Sequence, residues 1–382
     1  MYWQVDGGQP VLMTDNSTDY PHKEFDADLS SWNWKGTGPY VLTFTAKDLK
    51  GNVIGTAART IYTGATTTTA TSATASATNT NTSTPATTLA IANPLAGKKI
   101  YFDSNNSAAQ TINSIKSYDA SDANLLQKIA TQPEAIWLGS WLSDSDTVTT
   151  IKNALAAAKS QGAIANFVLY NIPQRDCGSF SAGGANNPAG YQSWINTVTG
   201  AIGSNQAITI LEPDALADAS CLSTSDQATR ISLIAGAVKT LKTDSGDYVY
   251  IDAGHPNWIA STTMSTLLKQ AGIAQADGFS LNVSNYETTA DDISYGTDIS
   301  SQTGGKHFII DTSRNGNGSD GEWCNANGSA LGSNPTTSTG QSLVDAFLWV
   351  KHPGESDGNC NGGPSAGTWW TDYAVALAKN TH

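Results

Sequence analysis

A parallel α/β barrel preceded by a small all-β module is the fold class that this chain of 382 residues predicts. Strand-like apolar runs alternate with helical segments over its last three quarters. Three aspartates follow such runs in step, and a Thr/Ser-rich stretch separates that rhythm from a β-patterned N-terminus. Asp176, Asp214 and Asp252 stand 38 residues apart in each case, after Asn166 to Tyr170, Ile208 to Leu211 and Tyr248 to Ile251. One strand, one helix and two short loops consume about that length of chain, so successive βα units would bring the carboxylates to one end of a parallel sheet. That end is where α/β barrels place their chemistry.

Residues 1–64 read as an immunoglobulin-like β-sandwich module. Pro39 to Ala46 and Asn52 to Tyr62 alternate apolar with polar residues around the turn-like Lys47 to Gly51. A complete sandwich of this type takes roughly 100 residues, so the module reads as truncated. Trp3, Trp32 and Trp34 admit two readings, a sugar-stacking strip or core anchors. Residues 65–90 hold almost only Thr, Ser, Ala and Asn, too little apolar surface to offset the entropy of ordering, and read as a solvated tether.

Residues 91–382 form the second domain. Further strand-like runs at Lys98 to Asp103, Glu134 to Ser140, Gly278 to Val283, His307 to Asp311 and Ala346 to Val350 bring the candidates to eight. Between them, Tyr191, Trp194, Ile195, Val198 and Ile202 share one stripe of a helix opened by Asn187-Pro188 and closed by Gly203. Val148, Ile151, Leu155 and Ala158 share another, with Asp146 near its start and Gly162 after its end. This alternation argues for a parallel sheet closed, or nearly closed, into a barrel with outer helices.

A net charge of −13 repels nucleic acid and anionic membrane surfaces, whereas a neutral polymer carries no such penalty. No apolar stretch approaches the roughly 18 residues of a membrane span. Met1-Tyr-Trp-Gln-Val-Asp6 has neither the basic start nor the apolar core of a signal peptide. Four cysteines, Cys177, Cys221, Cys324 and Cys360, all lie in the second domain without the short Cys-x-x-Cys pairs of a zinc site. Their even number favours two disulfides and hence a secreted protein. Proximity in sequence pairs Cys177 with Cys221 and Cys324 with Cys360, although four cysteines allow three pairings.

Chemistry concentrates in four strings. Two aspartates at the ends of adjacent strands, Asp176 and Asp214, would interact so that one keeps its proton near neutral pH, as a general acid must. Arg175 and the neighbouring Cys177 would hold the loop of Asp176. A third cluster follows the last strand, where Lys351 and Glu355 could pair on the rim beside Asp357. Trp137, Trp258 and Trp323 accompany these charges, and indole faces pack well against the C–H surfaces of sugars.

Tyr170-Asn-Ile-Pro-Gln-Arg-Asp-Cys177, Ile210-Leu-Glu-Pro-Asp-Ala-Leu-Ala217, Ile251-Asp-Ala-Gly-His-Pro-Asn-Trp258 and Trp349-Val-Lys-His-Pro-Gly-Glu-Ser-Asp-Gly358 stand in one order. In that order they resemble the signatures of glycoside hydrolase family 6, over roughly residues 93 to 382. The resemblance implies a distorted, incomplete barrel of about seven strands, and a catalytic domain that cleaves β-1,4-glucosidic bonds with inversion. By motif position Asp214 resembles the general acid, Asp176 the neighbour that keeps it protonated, Tyr170 the residue that crowds and distorts the sugar, and Asp357 the disputed base. Trp137, Asp252, His255, Trp258, Asn285, Trp323, Lys351 and Glu355 match substrate-contacting positions, and Arg175 and Ser181, on either side of Asp176, are further substrate-binding candidates.

Two departures from the family pattern stand out. Six residues past Asp176, where many members carry a serine on a mobile loop, this chain has Ala182, with Ser181 beside it. After Asp357-Gly358 the long insertion that roofs cellobiohydrolases into a tunnel is missing, and Asn359 to Gly367 leads straight to Trp369. An open cleft and cutting at internal bonds of cellulose or a related β-1,4-glucan follow, by a monomer, with cellobiohydrolase action from chain ends as the alternative. Inversion sets the two carboxyls of Asp214 and Asp357 about 6.5–9.5 Å apart, or somewhat more without substrate.

Three rival readings can be weighed against it. A glucan-binding protein without activity fits poorly with Asp214, Asp176 and Tyr170 all present. An aldolase would need a buried Schiff-base lysine, for which Lys351 is the sole motif candidate. Asp252 and His255 lack the companions of a metal site, so neither metal nor cofactor is expected.

Overall fold

The computed structural model describes residues 2–15, 25–26, 29, 35, 40–47, 50, 53–61, 92–243 and 246–381. The chain divides into two compact units, Met1–Ala86 and Thr87–His382. Trp32, Trp34 and the tether of residues 65–90 lie outside the described residues.

In the first unit, strands β1 (Tyr2–Val5), β2 (Val11–Leu12), β5 (Tyr40–Lys47) and β6 (Val53–Ile61) form an antiparallel sheet in the order β2-β1-β5-β6. β3 (Thr14–Asp15) pairs with β4 (Phe25–Asp26). The two alternating runs of the sequence are β5 and β6, paired as a hairpin. Trp3 is 1% exposed among Val5, Met13, Tyr40 and Leu42, which makes it a core anchor and not a sugar platform.

The second unit is built on seven parallel strands. These are β7 (Ile136–Gly139), β8 (Ala165–Tyr170), β9 (Gln206–Leu211), β10 (Gly246–Asp252), β11 (Gly278–Leu281), β12 (His307–Asp311) and β13 (Val344–Leu348). Each pairs in parallel with its neighbour in sequence, and a helix connects every successive pair except β12 and β13. The eighth run, Lys98 to Asp103, pairs only through the single parallel bridge of Ile100 with Ile164. Asp103 then accepts a bond from the Asn105 N–H and turns the chain into helix α1 (Ser107–Ile115).

Between β7 and β13 the sheet has no ladder, and isolated bonds hold the seam. The Ala135 N–H donates to the Trp349 carbonyl at 3.0 Å and the Trp137 indole N–H to the Val350 carbonyl at 2.8 Å. His352 donates across the same seam to the Ala135 carbonyl at 2.5 Å and, on its own side, to the Glu355 carboxylate at 2.7 Å. Burial would lower the imidazole's pKa, but Glu355 and Glu134 carry it up to about 10, so both ring nitrogens hold protons.

Period-two alternation sorts the strand residues between two layers. Ala165, Phe167 and Leu169 of β8 face the helices, whereas Val168 and Tyr170 join Ile208, Ile210, Tyr250 and Ile309 inside the barrel. Outside lie α3 (Asp144–Ser160), α4 (Pro188–Ile202), α5 (Thr224–Leu241), α6 (Ser261–Gln270) and α7 (Thr289–Gln302). α4 begins and ends as its caps predict, with Asn187 accepting from the Gly190 N–H. α2 (Ala120–Ala130), α1 and α8 (Thr371–Asn380) pack with Trp349 in a separate apolar cluster.

Candidate active site

The C-terminal ends of the strands open into a cleft of about 1590 Å³, above the roughly 300–1,000 Å³ of ordinary small-molecule pockets. Tyr170, Arg175, Asp176, Ser181, Asp214, His255, Trp258, Asn285, Trp323, Lys351, Glu355, Asp357 and Trp137 all line it. Of the residues the sequence singled out, only Asp252 is not there. It is 1% exposed at the end of β10, beneath Asp214, because its oxygens are taken by the N–H groups of Asp214 and Gly254 (both 3.0 Å) and by Ser280 Oγ (3.1 Å). Those bonds make Asp252 a support for its neighbour instead of a contact for substrate.

Asp214 follows β9 in the left-handed backbone region, at φ 70°, and Asp176 follows β8 at φ 55°. Non-glycine residues seldom sit there, and such positions cluster at functional sites. Glu212 helps hold this geometry. Buried at the end of β9, its carboxylate accepts the N–H groups of Asn171 (3.0 Å) and Ile172 (2.9 Å), tying the loop after β8 to the next strand. Arg175 secures the other side of the loop. Its guanidinium donates to the carbonyls of Tyr170 (2.6 Å), Ser181 (2.7 Å) and Ala182 (3.3 Å), while the Cys177–Cys221 disulfide anchors the base.

Charge divides this site in two. On the β8–β10 side, burial raises the Asp214 carboxyl well above the usual carboxylate range, and Asp252, Asp176 and Asp218 push it further, against a hydrogen bond from Tyr170. Asp252 reaches about 6, raised by burial and restrained by its backbone donors. Asp176 is raised by burial, against the Ser181 N–H at 2.6 Å and Arg175. Here a carboxyl can hold a proton to donate.

On the β12–β13 side the opposite holds. Burial would raise Asp357 too, but Arg314 and Lys351 keep it below its ordinary value. Arg314, 0% exposed, donates to Asp357 Oδ2 at 2.7 Å and Lys351 Nζ stands 3.3 Å from Oδ1. The Asn325 N–H (2.9 Å) and Tyr286 hydroxyl (3.1 Å) add two more donors. Lys351 therefore pairs with Asp357 and not with Glu355, whose partner is His352. Asp311 at the end of β12 binds the N–H groups of Ser284, Ser313, Val350 and Lys351 (2.9–3.2 Å), so one buried carboxyl joins three loops.

The aromatic residues frame these groups. Trp137 meets Tyr170 edge to face at 5.3 Å. His255, whose pKa burial lowers to about 4, lies 5.4 Å from Trp258. Phe180 packs 6.0 Å from Trp323, and a Cβ on Gly358 would come within 2.5 Å of its ring, so the loop after β8 touches those after β12 and β13. Asp218, Glu212, Arg314, Phe180 and Trp141 were not read as site residues from sequence. Arg314 carried a usable signal, a charge just after a strand-like run, as Asp176 does.

Residues 95–381 match the model of the family described as glycosyl hydrolases family 6. The chain belongs to that family. Family 6 relatives include Endoglucanase A of Cellulomonas fimi, 49% identical over 260 residues, a match that spans 68% of this chain and 57% of the relative. Endoglucanase 1 of Streptomyces halstedii is 40% identical over 68% of this chain and 82% of its own length. Among solved structures, the endoglucanase Cel6 of Mycobacterium tuberculosis, in complex with methyl-cellobiosyl-4-deoxy-4-thio-β-D-cellobioside, is 43% identical with a TM-score of 0.72, covering 76% of this chain and 99% of that one. The seven-stranded incomplete barrel is thus the family 6 fold, and the eighth strand-like run is not part of it.

Proposed function

We propose that this chain is a secreted, inverting β-1,4-glucanase that cuts cellulose or a related β-glucan at internal bonds. The observation that carries the reading is the Asp214 carboxyl, set in a polymer-sized cleft and raised by burial and three neighbouring carboxylates. Asp214 donates its proton to the oxygen linking two glucose units. Asp176 and Asp252 keep that proton in place, and Asp176 with Tyr170 favours the positive, distorted sugar of the transition state. Water attacks from the opposite face. Its proton passes to Asp357, whose two cations make it a weak base, a weakness that a relay of waters would suit. Lys351 and Glu355 hold the sugar on the Trp137 side, and His255, Asn285, Trp258 and Trp323 on the other.

Several features support the finer points. The relatives named as endoglucanases and the direct run from Asp357 to α8 favour internal cutting. Two disulfides, Cys177–Cys221 and Cys324–Cys360, fit an extracellular enzyme, and among the described residues no helix is long and apolar enough to cross a membrane. We read residues 1–64 as an immunoglobulin-like module, 65–90 as its tether and 91–382 as the catalytic domain, acting as a monomer.

One assay tests the whole reading: viscosity of carboxymethyl cellulose followed against reducing ends, with the first anomer released recorded on a soluble cello-oligosaccharide. A steep viscosity loss with the α-anomer is expected. Release of cellobiose alone, with viscosity held, would replace internal cutting by chain-end action.

A further inference from the structure

Trp141, just beyond β7, is 52% exposed, the most exposed tryptophan among the described residues, and it lines the same cleft as Asp214. An indole left this open forgoes the burial that normally places tryptophan inside, so its exposure calls for a reason. The ring is nevertheless fixed. A Cβ on Gly139 would lie 2.3 Å from it, so only glycine lets the ring settle onto the strand end. The Arg175 guanidinium stands 5.3 Å from its centroid, and that guanidinium is itself held by three carbonyls. Tyr170 lies against Arg175 at 4.5 Å and against Trp137 at 5.3 Å. Trp137, Tyr170, Arg175 and Trp141 thus form one continuous row of ring and guanidinium contacts at the ends of β7 and β8.

We propose that Trp141 is a further sugar platform of the cleft, stacking on a glucose unit of the polymer with the part of its ring that Arg175 and Gly139 leave open. The proposal rests on the glucanase reading and adds to it a binding position outside the residues matched by family motif. A rigid aromatic face suits this task because little conformational freedom is lost when the sugar arrives. The polymer is neutral, so stacking costs no charge desolvation in this acidic cleft. The row also places Trp141 beside the loop that carries Asp176, so a sugar on it belongs to the chain held at the catalytic carboxyls.

The test uses the full chain with Asp214→Asn, which on the glucanase reading should hold substrate while cutting it about 10³-fold more slowly. Cellohexaose binding is measured by calorimetry for that protein and for the same protein with Trp141→Leu or Trp141→Tyr. Leucine still covers Arg175 but offers no aromatic face. About tenfold weaker binding is expected for leucine, with most of the loss restored by tyrosine. Equal affinity in all three would overturn the proposal while leaving the glucanase reading standing. No binding of cellohexaose to the Asp214→Asn protein would overturn both. A second measurement needs no change at position 141: oxidation of tryptophans by N-bromosuccinimide, located by mass spectrometry, with Trp258 and Trp323 as the comparison. Slower oxidation of Trp141 in the presence of cellohexaose is expected; an unchanged rate at Trp141 beside protected Trp258 and Trp323 would remove it from the cleft's platforms.

Discussion

Asp214 and Asp357 are the same residue type in one cleft, and the two sides of the barrel drive them in opposite directions. Around Asp214, at the ends of β8 to β10, burial raises the carboxyl most, and the carboxylates of Asp252, Asp176 and Asp218 push it further the same way. Around Asp357, at the ends of β12 and β13, Arg314 and Lys351 outweigh the same burial. Burial alone therefore does not assign acid and base. The sign of the neighbouring charge does, and the barrel sorts its charges by strand end.

The largest effect expected from disturbing this division is at the acid itself. Asp214→Asn should lower kcat on unactivated glucan by about 10³-fold, within the range of general acid catalysis, with oligosaccharide affinity nearly kept. Near-normal turnover in initial-rate assays would move the acid elsewhere. On the opposite side, Arg314→Met leaves a buried carboxylate short of its strongest partner. About 3–5 kcal/mol of stability should go, read from urea midpoints at pH 7, because a broken buried pair leaves an uncompensated charge. Asp357 then rises instead of falling. The sign follows from its lowered folded pKa: in the native protein this carboxylate contributes stability above its unfolded value of about 3.9, lost as pH falls through the folded one. Arg314→Met should weaken that acid-side loss.

Asp176→Asn should cost about tenfold in kcat/KM and pull the alkaline limb of the pH profile downward, because one charge that raises Asp214 disappears. An unchanged limb with unchanged rate would take Asp176 out of the division. Asp252→Asn should be the mildest in rate and the most informative in sign. The alkaline limb, which reports loss of the acid's proton, should move down by about one pH unit, a differential of about 1.4 kcal/mol. Asp252 is raised to about 6 in the folded protein, so its ionisation opposes folding, and the stability present at pH 4 is lost as pH rises through about 6. Asp252→Asn should accordingly raise the urea midpoint at pH 8 and change it little at pH 4. A lower midpoint at pH 8 would show that its bonds to Asp214, Gly254 and Ser280 outweigh the charge.

Much of this was legible in the chain before any coordinates. The equal spacing of Asp176, Asp214 and Asp252 gave three neighbouring strands, because strand, helix and loops consume a near-constant length. Apolar stripes gave α3 and α4, and proximity gave both disulfides. The same signals misled at the edges. Lys98 to Asp103 has the pattern of a strand but meets only one partner residue before turning into α1, and pattern cannot report whether a neighbouring edge is in reach.

What the sequence by itself determined was local: periodicity, caps and short motifs, each written within a few turns or one strand of chain. Tertiary structure alone decided that Asp252 sits under Asp214, that Arg314 grips Asp357 from 43 residues away, and that Lys351 turns to Asp357 and not to Glu355. The physical reason lies in the range of the two effects. Backbone geometry is fixed by near neighbours along the chain, whereas a carboxyl's proton answers to whatever charges and dry surroundings the closed barrel brings within a few ångströms.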